Sequence, residues 1–79
     1  MVGNVVYIID EHMIREDVRQ IHSVHATWDG VNRELHRLAD INRDAGYVVS
    51  QDKNGEFRVY YAGRGLVYKY SISTRTIEE

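Results

Sequence analysis

Four histidines are the first residues to weigh as chemistry. His22 and His25 stand three apart in His22-Ser23-Val24-His25, with His12 and His36 elsewhere in the chain. Two imidazoles hold a metal ion only when their rings converge. A spacing of three converges on a helix, but on a regular strand it sends the side chains to opposite faces. No Glu-x-x-His or His-Glu-x-x-His string accompanies them. The histidines are therefore read as ordinary surface or half-buried residues, and no metal site is expected. Asp10-Glu11 and Glu16-Asp17 are paired carboxylates in polar stretches. Such carboxylates are ordinarily solvated, though they also offer a surface that mimics nucleic acid to a basic target. No catalytic set and no cofactor motif emerges, so the chain is read as a non-enzyme.

A second set is basic and aromatic. Between Phe57 and Ile77 stand Arg58, Arg64, Lys69 and Arg75 and no acid. The other six of ten basic residues share the rest of the chain with all twelve acids, a local net of −6 within a total of −2. Strand alternation puts Arg58, Tyr60, Val67, Lys69, Ser71 and Arg75 on one face of a C-terminal hairpin. Arginine and tyrosine are enriched at the centres of protein interfaces. Basic and aromatic residues interleaved on a sheet also suit single-stranded nucleic acid, although the negative total weighs against a polyanion. The plain alternative is a solvated face with cross-strand pairs. Trp28, the sole tryptophan, is read as a core anchor at the start of a helix, with a half-exposed partner contact as the alternative. Gly63-Arg64-Gly65 is read as a turn, because no helix N-terminus follows to make a phosphate cradle.

These residues need elements to position them. Seventy-nine residues make one domain, 1–79, that buries about 60–65% of its unfolded surface, so the core is thin. Val5-Val6-Tyr7-Ile8-Ile9 reads as a central strand buried on both faces. Asp10 to Asp17 reads as a polar turn or loop. Val18 to Ala26 fits a strand with Val18, Val24 and Ala26 on one side and Ile21 on the other; a helix carrying Ile14, Val18, Ile21 and His25 is the alternative. The strand is preferred because it makes a hairpin with the first run. Thr27 or Asp29 can cap a helix from Trp28 to Asn42, with Trp28, Val31, Leu35, Leu38 and Ala39 on its apolar stripe and Gly46 ending it. A three-strand meander follows. Asn54-Gly55 is expected as a two-residue hairpin turn. Phe57, Val59 and Tyr61 share one face of the next strand, as Leu66, Tyr68, Tyr70 and Ile72 do of the last. The fold class is α+β: an antiparallel sheet of four to five strands with one amphipathic helix on one face, in the order β-β-α-β-β-β.

Strand, strand, helix, then strands resembles a group of small phage-encoded accessory proteins. The resemblance rests on the apolar opening strand, on Ser23-Val24-His25-Ala26-Thr27 at the end of the second, and on the helix that follows at once. It covers the first half of the chain, and the tyrosine-rich C-terminal hairpin is not part of it. It implies a stoichiometric binder, such as an inhibitor of a host enzyme or an anti-CRISPR protein. A fainter resemblance joins Gly55-Glu56-Phe57-Arg58-Val59-Tyr60-Tyr61 and Val67-Tyr68-Lys69-Tyr70 to the central strands of RelE-type ribonuclease toxins. It implies Arg58, Arg64, Tyr68 and Lys69 as the groups acting on RNA, but the two N-terminal helices and the basic charge of that family are missing.

The expectation is a cytoplasmic protein-binding module that inhibits a host protein or complex. Arg58, Tyr60, Arg64, Lys69, Arg75 and Trp28 are its candidate contacts. A nucleic-acid-binding domain is the alternative. The chain has no cysteine, which fits a reducing compartment; its longest apolar run, Val5 to Ile9, is too short to span a membrane and lacks the basic start and small-residue cleavage site of a signal peptide. A thin core without staples points to a homo-oligomer, with the last strand as the edge that pairs.

Overall fold

The structure, a computed structural model, describes residues 4–53 and 55–77. Five strands and one helix follow one another as β1 (Asn4–Met13), β2 (Val18–His25), α1 (Trp28–Asp44), β3 (Val48–Gln51), β4 (Phe57–Tyr61) and β5 (Gly65–Ile77). The strands form one antiparallel sheet in the order β2-β1-β5-β4-β3. The α+β class and the element order are as the hydrophobic periodicities imply.

α1 begins where Thr27 accepts a bond from the Gly30 N–H at 3.0 Å, so Thr27 is the cap. It ends at Ala45-Gly46, with Gly46 at φ +95°. Val31, Leu35, Leu38 and Ala39 are buried against Ile9, Phe57, Val59 and Tyr70 of the sheet. Thr27→Ala is expected to cost about 1 kcal/mol through the lost cap, read as a lower urea midpoint at unchanged slope.

Three expectations need correction. Asp10 to Asp17 is not all loop. β1 runs on to Met13, because it lies between two neighbours that pair with Asp10, Glu11, His12 and Met13. β5 is an inner strand only from Gly65 to Tyr70, where it sits between β1 and β4; among the described residues its longer second half, Ser71 to Ile77, lacks a second neighbour. The connection between β3 and β4 is longer than two residues. The ladder stops at Gln51 and Phe57, and the Asp52 N–H bonds the Glu56 carbonyl at 3.0 Å. Gly55 has φ +88° there, and Asn54 lies outside the described residues.

Two bulges change which way side chains face. On β2 the register jumps from Ile9–Ser23 to Asp10–Ile21, leaving His22 as the extra residue. Ile21 and Val24 therefore share the open face rather than opposing one another. His22 and His25 both turn to the helix side, where His22 meets Glu34 and His25 lies beside Gly30. On β5 the register jumps from Val59–Tyr68 to Tyr60–Leu66, leaving Val67 extra. Val67 packs on the core side with Tyr68, and Leu66 moves to the open face opposite Tyr60.

Candidate functional site

The six candidate contacts do not form one patch. Arg58 sits on the open face next to Lys69. Its guanidinium is already engaged, by Glu56 at 3.0 Å and Asp52 at 3.5 Å, and chiefly the Glu56 bond raises its pKa. Lys69 also pairs with His12 across the ladder. Tyr60 lies between Leu66 and Val48. Arg75 lies six residues beyond Lys69 along β5, roughly 20 Å away at strand spacing. Arg64 is in the β4–β5 turn, over the Tyr61 ring at 5.8 Å. Trp28 is not a core anchor. It is 55% exposed, with its ring edge-on to Tyr7 at 5.7 Å.

The residues implied by the toxin resemblance are not assembled either. Arg58 and Lys69 lie on the open face, whereas Arg64 and Tyr68 line a cleft on the other side. Ser23 and His25 contact each other at 2.8 Å, a hydroxyl–imidazole pair that needs a third, orienting group to act as a nucleophile and base. Among the described residues no carboxylate pairs with His25 to orient it. No group of three or more metal-ligating side chains comes together there. Among the described residues no helix is long and apolar enough to cross a membrane.

The structure instead forms two clefts on the helix side. The first follows the free part of β5. Among the described residues, β5 from Ser71 to Ile77 pairs only with β1. The Ile14 N–H bonds the Val67 carbonyl at 2.9 Å, which sets the alternation of this ladder. It follows that Ile72, Thr74 and Thr76 aim their backbone N–H and C=O groups away from β1. Beside this edge lies a cleft of about 690 Å³. Ser71, Ile72 and Thr74 make one wall, Trp28, Asn32 and Leu35 of the helix another, and Asp52, Lys53, Gly55 and Glu56 close it.

The second cleft, of about 300 Å³, lies past the C-terminal end of α1. Tyr47 enters it directly after the helix, its N–H bonded to the Asn42 carbonyl at 2.9 Å. Tyr61 and Tyr68 stand 5.2 Å and 6.5 Å from the Tyr47 ring. Val67, Arg15, Arg64 and Glu16 complete the lining. Sequence reasoning missed this group. The tyrosines were legible as strand residues, but Arg15 carries no periodic signal and reaches them only through the β1–β2 turn.

Between the clefts, Glu34 is held by Arg37 through two bonds of 2.6 Å and contacts His22 at 3.1 Å. Arg37 first, and His22 with it, lowers the Glu34 pKa to about 2 against the cost of burial. Burial, reinforced by Glu11, pushes the Tyr70 phenol well above its usual value.

No protein family matches the chain, and no curated protein or solved structure matches it.

Proposed function

We propose that this chain is a non-enzymatic protein-binding module that works by strand addition at the free edge of β5. The carrying observation is the edge itself. Ile72, Thr74 and Thr76 present outward backbone groups beside a cleft walled by a half-exposed tryptophan. Adding a strand there satisfies those groups, and the cleft receives alternate side chains. The other two edges are blunted. β2 carries a bulge and Arg19, and β3 has only four residues. Ser71 to Ile77 has one charge, Arg75, and no glycine or proline.

A second copy of the chain fits this edge. An antiparallel pair about a twofold axis through Thr74 places Ile72 opposite Thr76 and Arg75 opposite Ser73, with no like charges facing. The protein then acts as a homodimer with a continuous sheet, in the cytoplasm. The phage-inhibitor role implied by the resemblance is compatible with such a module, because stoichiometric inhibition needs a surface and no catalytic group.

Thr74→Pro tests this. It removes an outward N–H that β1 does not use, so the fold is expected to stand with unchanged circular dichroism. The parent is expected to sediment as a concentration-dependent dimer and the variant as a monomer. A parent that stays monomeric at every concentration, or a folded variant that still dimerises, rejects the reading. Recovery from lysate of nucleic acid alone, lost on nuclease treatment, moves the weight to a nucleic-acid-binding domain.

A further inference from the structure

We propose that the tyrosine cleft beyond the helix is a nucleotide-binding site, taking a base against Tyr61 and a phosphate on Arg64 and Arg15. Its volume, about 300 Å³, sits at the small end of ligand sites and suits a single nucleotide. The rings of Tyr47 and Tyr68 are inclined to one another and packed together, so they form a wall rather than a sandwich. Tyr61 is the outermost ring and is 42% exposed. Exposed aromatic faces accept any base by stacking.

The cations are placed for the phosphate. Arg37, Arg43 and Arg58 are each paired with carboxylates. Arg15 and Arg64 have no carboxylate within 4.0 Å among the described residues. Arg64 is held at the tip of its turn by Gly63 and Gly65, both at positive φ, and by its N–H bond to the Tyr61 carbonyl at 2.9 Å. That turn keeps its guanidinium beside Tyr61, within reach of the phosphate of a nucleotide whose base stacks on that ring. Glu16 adds one negative charge to the lining and can accept a bond from an exocyclic amino group. With a chain total of −2, a mononucleotide or the end of a single strand fits better than a long polyanion. The site lies roughly 20 Å along β5 from the Thr74 edge, so the two surfaces are separable.

The test is a titration of isotope-labelled protein followed by NMR, with AMP, adenosine, inorganic phosphate and a short oligoadenylate as probes. AMP is expected to shift the ring signals of Tyr47, Tyr61 and Tyr68 and the Arg64 side-chain signal, saturating near or below about 1 mM. Adenosine and phosphate alone are each expected to bind roughly tenfold more weakly, as is AMP to Arg64→Gln. An oligoadenylate that binds more tightly than AMP identifies a strand as the source of the ligand; equal or weaker binding identifies the free nucleotide. Absence of saturable shifts, shifts confined to other residues, adenosine binding as tightly as AMP, or unchanged affinity in folded Arg64→Gln each overturns the proposal. Tyr61→Leu, which keeps apolar bulk without a π face, is expected to weaken AMP binding while the helix signals stay in place.

Discussion

Ile9→Ala is expected to lower the stability of this domain by about 2–5 kcal/mol. Ile9 is fully buried on the central strand of the β2-β1-β5 half of the sheet. It packs in one cluster with Val31, Leu35, Leu38, Val59 and Tyr70. Neighbours on two strands and a helix hold the space open, so the chain cannot collapse into the cavity. A small domain has a total stability of about 5–15 kcal/mol, so this single change removes a large share of it. Urea unfolding at unchanged slope reads the loss. Val24→Ala is the control. It lies on the same hairpin, but its side chain is 56% exposed on the open face, and the expected change is within about 0.5 kcal/mol. If Ile9→Ala costs no more than Val24→Ala, the core is not where the packing places it.

Glu34→Gln is expected to cost up to about 1 kcal/mol at neutral pH, because it weakens exposed charge-assisted bonds to Arg37 and a half-buried contact to His22. The carboxylate faces His22 of β2 with its side chain 18% exposed, while Arg37 is 57% exposed, so water partly replaces the lost bonds. The effect has a defined pH dependence. Unfolded, the carboxyl titrates near 4.5; folded, at about 2. A depressed folded pKa means that the unfolded chain takes up the proton first. The stabilisation is therefore complete above pH 4.5 and declines as pH falls through that value toward about 2. The parent should lose stability across this window, and Glu34→Gln should lose less of it there. An unchanged acid limb in Glu34→Gln would mean that another carboxylate controls acid unfolding.

Much of the architecture was legible because it depends on short-range patterns. The helix stripe of Val31, Leu35, Leu38 and Ala39 and the cap at Thr27 need no distant partner to be recognised. Val5 to Ile9 reads as a strand buried on both faces for the same reason; it is a strand, but only Ile8 and Ile9 are buried, on opposite faces, while Val5 is 46% exposed. The candidate contacts were read less well. Strand parity from Tyr60 to Arg75 assumed an unbroken alternation, and one extra residue at Val67 breaks it. Parity failed again on β2, where His22 is extra and its ring meets Glu34 on the helix. Neither bulge has a glycine or a turn signal to announce it.

The sequence by itself determined the α+β class, the order of the main elements, the helix boundaries near Thr27 and Gly46, and the placement of acid and base along the chain. Periodicity and capping act within a few residues, so one chain segment carries all the information they need. Only the tertiary structure decided that the first half of β5 lies inside the sheet, that Ser71 to Ile77 is the free edge, and that Arg58 is consumed by Glu56 and Asp52. It also decided that Arg15 and Arg64 meet the tyrosines at one cleft. Those outcomes depend on register between strands up to sixty residues or more apart, as in the bond from Ser73 to Asp10. Register is set by how the whole sheet packs against one helix, and no local run of residues encodes it.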